Sequence, residues 1–555
     1  MQALSPRWIG PLAALVLAPV LAPPAAAQQR LPAPVERPPA PPTTEPLVIP
    51  TIGFELPAGL APPPGIAEDP VLVRRLVIRG VERLDPGDVR AATDGIVGAT
   101  VPLARIYQVA ATLTQRARAR GQFLTTVFVP DQIAEDGTFE VTVLEGRLSR
   151  IDVTGAPPGL TATLRRIAAP LLAAPPRLSD VERVLLLIRE LPGVDVRATL
   201  QPLSTTGEEL ALVLATTPKP LTGAIGIDTR GSKYSGPGRG SLELNAGSIL
   251  GYGEVVRLRG LATTTLSEQR YGAMDISVPL SSDGLRLDLS VGQSRSRPGY
   301  DLRPFAVRGA TEQVDVVLSY PVLLSLSSTL RVTAGAHVLD SRAWLGEQRY
   351  YVDRTRSASL GAVWDVSGPW TGATRLAARW VQGLDVGDAS TARASSRRDG
   401  SATAGRAVAE VWHIQRLADA WTVSFQLEGQ YATRGMFAAD EYAYGGARFG
   451  RGYDPAEVTG DHGAAGGLEL SWQVPGLSGE TARTTLYGFG DVGAVWDRDR
   501  TVQRRIRSSA GVGLRLDIVD ALSGFVEYAW PIGPAPAAEA PANSGRAVFG
   551  VTVKF

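Results

Sequence analysis

The residues best placed to do chemistry lie in the glycine-rich stretch Gly445 to Pro455, GGARFGRGYDP. Its core, Arg451-Gly452-Tyr453, sets a cation and an aromatic around a glycine, in a long connection between two strand-like segments. Further on, Phe489-Gly490-Asp491-Val492-Gly493 places an acid between glycines in another strand-like segment. A guanidinium on a loop and a carboxylate on a strand have the groups for a charge-assisted, bidentate contact. Gly493 beside the acid leaves room for a close backbone approach. Other site chemistry has little support. The three histidines, His337, His413 and His462, sit in no nucleophile motif, and Gly231-Ser232-Lys233 has the wrong order for a phosphate cradle. No cofactor or metal is expected, and the chain has no cysteine for thiolate ligands or disulfides.

The elements that must position Arg451 and Asp491 follow from patterning. Residues 1–27 read as a signal peptide: Arg7 precedes an apolar run from Ile9 to Leu21, and Ala25-Ala26-Ala27 offers a cleavage site. Residues 28–70 are a proline-rich linker of extended, semi-rigid character, with no segment that reads as a helix. A net charge of +1 argues against a nucleic-acid surface.

Two compact units follow, residues 71–146 and 147–217. In the first, a strand (Val71 to Gly80) precedes helices at Asp85 to Asp94 and Pro102 to Arg120, then strands at Phe123 to Val129 and Phe139 to Leu144. The second repeats that order, with a period of about 75 residues. Glu145 and Gly146 are read as closing a strand and turning the chain.

Residues 218–555 alternate with a period of two, as in Leu285-Arg286-Leu287-Asp288-Leu289 and in Val512 to Ile518. No later run approaches the ~18 apolar residues of a spanning helix, so a membrane form must be a closed barrel. About sixteen strands can be placed, and their connections alternate short and long, as periplasmic turns and external loops do. Ser281 to Gly284 and Pro475 to Glu480 are short; Asp340 to Arg356, Asp385 to Ser401, Tyr431 to Gly463 and Gly533 to Gly545 are long. In such a barrel Arg286 and Arg515 must face the lumen, since a lipid-facing arginine at the midplane costs about 2–4 kcal/mol. The last strand carries Ala547, Phe549, Val551, Val553 and Phe555 on one face.

The fold class expected is therefore a pair of α+β domains followed by a 16-stranded antiparallel transmembrane β-barrel. Tyr431 to Gly463 falls in the sixth external loop and Asp491 on the thirteenth strand. With the Val143-Leu144-Glu145-Gly146 ending of the first unit, the Arg451-Gly452-Tyr453 tip and Phe489-x-Asp491-x-Gly493, the chain resembles the TpsB transporters of two-partner secretion, a group within the outer-membrane insertase superfamily. The resemblance implies that both α+β units are periplasmic POTRA domains and that the protein sits in the outer membrane. It implies export of an unfolded, TpsA-like secreted partner, an adhesin or haemolysin, through the pore. It also implies contact with outer-membrane lipid, dependence on the barrel assembly machinery, and an insertion signal at Phe555. By the same resemblance the sixth loop folds into the lumen and Arg451 pairs with Asp491, as a gate or as a brace. Where the family commonly has valine, this chain has Gly450, which is expected to loosen the tip. An insertase that assembles other barrels and a passive porin are the alternative functions.

Overall fold

The computed structural model describes residues 67–81, 84–130, 132–134, 136–203, 209–368, 372–390, 394–479, 481–498, 504–518, 521–533 and 545–555. The expected signal peptide, nearly all of the proline-rich linker and most of the connection from Gly533 to Gly545 lie outside these residues.

The first unit stacks two helices on a three-stranded sheet. Asp85 caps the helix Pro86–Thr93, its carboxylate accepting from the backbone N–H of Gly87 (2.8 Å) and Asp88 (3.2 Å). These two donors hold the Asp85 carboxyl below its usual range. The helix Ala104–Ala119 turns Ile106, Val109, Ala110 and Leu113 into the core, apolar residues three and four apart on one face. The sheet runs Arg75–Arg79, Thr138–Glu145, Thr125–Phe128, the first pair parallel. The expected strand Val71 to Gly80 is divided in two: Arg75–Arg79 joins this sheet, whereas Pro70–Leu72 pairs with Thr100–Pro102; three residues are too few to show a period.

The second unit repeats the arrangement, with helices Pro158–Ala168 and Leu178–Arg189 on the sheet Arg147–Thr154, Glu209–Pro218, Val194–Pro202. It is joined to the short turns of the barrel. Arg183 donates to the carbonyls of Asp283 and Pro321, both at 2.9 Å, and Glu190 pairs with Arg331 at 2.8 Å. Gly193, at φ +76°, lies so close to Gly247 that a Cβ would overlap its carbonyl. Gly193→Ala is expected to loosen this joint while leaving both units folded. Limited proteolysis should then cut between unit and barrel faster than in the parent protein.

From Leu221 to Lys554 sixteen antiparallel strands close into a barrel, the last pairing with the first from Gly550↔Asp228 to Lys554↔Ala224. Closure leaves no sheet edge unpaired, which a bilayer requires. The fourteenth strand, Arg505–Ile518, shows how the pattern is used. Ile506, Val512, Leu514, Leu516 and Ile518 are exposed on the outside, while Ser509 and Gly511 are buried inward. Arg515 shares the inward parity and is ion-paired there, as expected from its cost in lipid.

One connection differs from expectation. Asp340 to Arg356 is not a long loop: strands Ser328–Leu345 and Gln348–Ser367 continue through it and turn at Gly346-Glu347. The polar residues read as loop are cross-strand partners, with Arg356 2.7 Å from Asp340 and Arg342 3.5 Å from Glu312. Charge marked the departure from the bilayer, and pairing let the hairpin continue beyond it.

Candidate functional site: the inserted sixth loop

The eleventh strand ends at Ala432 and the twelfth begins at His462. Between them the chain folds into the barrel, where a hairpin of Tyr442–Tyr444 with Val458–Gly460 carries the tip. Tyr444 and Tyr453 are almost fully buried and pack with Val458, Ala465 and Val495. Two wall glycines admit this hairpin. A Cβ on Gly493 would fall within the ring of Tyr444, and one on Gly463 within that of Tyr442. Gly452 itself lies against the backbone of Trp530 and Pro531, where a Cβ would come to 2.7 Å.

Arg451 and Asp491 are both at the loop–wall contact, but they are not each other's ion pair. Asp491 accepts from the Tyr444 hydroxyl (2.6 Å), the Gly450 backbone N–H (2.6 Å) and the Ser509 hydroxyl (2.9 Å). Arg451 passes over the Phe489 ring, 4.1 Å from its centroid, and reaches Glu469 on the twelfth strand (3.0 Å) and Glu527 on the fifteenth (3.1 Å). Glu469 is shared with Arg515 at 2.6 Å, and Glu527 also accepts from Tyr487 at 2.9 Å. The expected Arg451–Asp491 pair is thus replaced by an Arg451–Glu469–Glu527 network beside a separately held Asp491.

The reason is the backbone at Gly450. It adopts φ +70°, a left-handed conformation that suits glycine, and there a Cβ would meet the Tyr444 ring at 2.8 Å. This turn aims the Gly450 N–H at Asp491 and sends the Arg451 side chain past it. Gly450 therefore tightens the tip, contrary to the loosening expected from its small size. A second cation, Arg448, pairs with Glu410 (2.9 Å) and Glu428 (2.6 Å) on the tenth and eleventh strands. Asp454 pairs with Arg546 of the last strand at 3.2 Å. The loop is held at several points around the lumen.

Sequence reasoning missed Glu469, Glu527, Arg448 and Tyr444 as partners. Glu469 shows on the polar side of an alternating strand, and Glu527 interrupts Phe525-Val526 and Tyr528-Ala529-Trp530. An acid at inward parity is the available signal; which cation it meets is not local information. Phe555 pairs its backbone with Gly223, accepting at 2.8 Å and donating at 2.9 Å, and so ends the seam.

Residues 210–516 match the family described as haemolysin secretion/activation protein ShlB/FhaC/HecB, and residues 71–146 match the POTRA domain, ShlB-type. The chain belongs to the ShlB/FhaC/HecB family. It is an outer-membrane β-barrel of the TpsB type, and its POTRA region lies in the periplasm. The outer membrane transporter CdiB of Dickeya dadantii is 23% identical over 70% of both chains. The heme/hemopexin transporter protein HuxB of Haemophilus influenzae is 18% identical over 80% of both. A CdiB of Escherichia coli is 26% identical over 37% of this chain, which spans only 36% of that relative's length. Among solved structures, CdiB from Escherichia coli superposes with a TM-score of 0.71 at 20% identity, covering 91% of this chain and 93% of that one. BamA from Haemophilus ducreyi lacking POTRA domains 1-3 reaches 0.52 at 16% identity, over 88% and 100%. These structural likenesses concern the fold.

Proposed function

We propose that this TpsB-type barrel exports an unfolded, TpsA-like secreted partner, an adhesin or haemolysin, that its periplasmic domains receive first. The observation that carries the reading is the sixth loop inside the lumen of a barrel with two receptor-like units at its short-turn end. Residues 71–146 and 147–217 act as the two POTRA domains, with residues 218–555 as the pore. Each three-stranded sheet ends in edge strands, Arg75–Arg79 and Thr125–Phe128 in the first, Arg147–Thr154 and Val194–Pro202 in the second. An extended client can add to such an edge through main-chain hydrogen bonds, largely independent of its sequence. The tip residues Arg451, Gly452 and Tyr453 and the wall residues Phe489, Asp491 and Gly493 act as a gate, in which hydrogen bonds and ion pairs that water or other polar groups can replace supplement the packing of Tyr444 and Tyr453. Phe555 serves as the insertion signal read by the barrel assembly machinery. No catalytic role is assigned.

The test is co-expression with a candidate secreted partner, assaying the culture medium. Export that depends on the chain supports the reading. No export, together with failure of other barrels to assemble in its absence, would favour the insertase function.

A further inference from the structure

The outer ends of the sixth loop are held by a residue from a different loop. Arg397 belongs to the connection 384–404 between the ninth and tenth strands, and only 8% of its side chain is exposed. It pairs with Glu441 at 2.7 Å and Asp461 at 2.5 Å, and lies 3.8 Å from Asp497. Glu441 immediately precedes the inserted hairpin and Asp461 immediately follows it. One guanidinium therefore gathers both feet of the loop and the end of the thirteenth strand.

The surroundings are built to the same purpose. Asp461 also accepts from the backbone N–H of Met436 (2.7 Å) and Arg498 (2.9 Å), and Glu441 from the Thr459 hydroxyl (2.6 Å). Ser396 accepts from Ala438 N–H at 2.9 Å, Ser401 N–H donates to the Gly435 carbonyl at 3.0 Å, and Arg406 pairs with Asp440 at 2.6 Å. Burial works against the charge on Arg397, but Glu441, Asp461 and Asp399 outweigh it and hold its pKa above the ordinary arginine value.

The carboxylates of Glu441, Asp461 and Asp497 bring an oxygen each within 4.8 Å of one another. Each is nearly inaccessible to water. With Arg397 in place they are bridged; with it withdrawn, Asp497 keeps Arg505 at 3.2 Å, but Glu441 and Asp461 are left as two buried like charges that repel and push the feet apart. We propose that Arg397 is a positioning residue for transport, a clasp at the external mouth that sets how long the sixth loop stays in the lumen. The clasp acts on the feet of the loop, whereas Arg451 acts on its tip. It rests on the export reading above and adds that the feet must release during passage.

The chain has no cysteine, so paired cysteines report on one contact. In Ser396→Cys/Ala438→Cys, closing the pair by oxidation or with a short thiol cross-linker should lower secretion at least tenfold, and reduction should restore it. Secretion by the closed form at the reduced level would overturn the proposal. A second measurement uses Arg397→Gln in planar bilayers, with barrel integrity checked by heat-modifiable migration. Channel open probability is expected to rise about tenfold; an unchanged value in an intact barrel would also overturn the proposal. If the parent protein secretes nothing, it is the export reading that fails, and the bilayer result still decides the clasp.

Discussion

Arg451→Ala is expected to release the sixth loop from the lumen and abolish regulated export, without dissolving the barrel. The substitution removes the cation shared by Glu469 and Glu527, whose side chains are 11% and 2% exposed. Breaking a buried pair from one side leaves the other charge uncompensated, at about 3–5 kcal/mol. The lower end applies here, because Arg515 stays on Glu469 and Tyr487 on Glu527. About 3 kcal/mol is roughly a hundredfold shift from inserted to withdrawn loop. Single-channel recording should show a wide, persistently open pore, and secretion should fall while heat-modifiable migration is retained. Normal conductance and secretion would mean that Arg451 does not hold the loop.

A double-mutant cycle separates the two possible partners. Arg451 and Glu527 are in contact, so coupling of about 1–3 kcal/mol is expected from loop-release measurements. Coupling of Arg451 to Asp491 should be clearly smaller, since Asp491 is held by Tyr444, Gly450 and Ser509. The reverse order would favour direct pairing of Arg451 with Asp491 in the working protein.

Gly493→Ala should be nearly as damaging, for a steric reason. The added Cβ falls within the ring of Tyr444, which is 1% exposed and donates to Asp491. Neither the ring nor the strand has slack, so the hairpin must shift; overpacking of this kind costs about 1–3 kcal/mol, with the Tyr444–Asp491 hydrogen bond lost in addition. Gly490→Ala is the control. It lies on the same strand, three residues earlier, and its Cβ would find its nearest neighbour, the Ser509 carbonyl, at 3.9 Å. That change should stay within about 0.5 kcal/mol. If the two variants secrete alike, Gly493 is not a notch for the loop.

These two sites show how far local information extends. The alternation in Val512 to Ile518 announces a strand with one wet and one apolar side, because side chains alternate across a pleated backbone whatever surrounds it. The alternation of short and long connections announces a barrel in a membrane, and hence an external address for Arg451. Both properties repeat along the chain and average over errors of a residue or two. Asp340 to Arg356 shows where such reading ends. Charged residues there leave the bilayer as expected, yet their cross-strand partners keep the hairpin going, and a partner is a fact about the neighbouring strand.

By itself, the sequence determined the α+β units, the sixteen-stranded barrel, the inward parity of Arg515 and the placement of Arg451 on an external loop and Asp491 on a wall strand. Only the tertiary structure decided the contacts within that site. Gly450 takes a left-handed turn that aims its N–H at Asp491 and carries Arg451 on to Glu469 and Glu527, one and four strands beyond the eleventh, from which the loop departs.

 Glu469 lies on the twelfth strand and Glu527 on the fifteenth, so the two acids meet one guanidinium only because the barrel closes around the loop. Arg397 likewise meets Glu441 and Asp461 from a separate connection. A charge at inward parity can be read from its own strand. Its partner depends on strand register, closure and the path of a loop, which are set by contacts far apart in sequence.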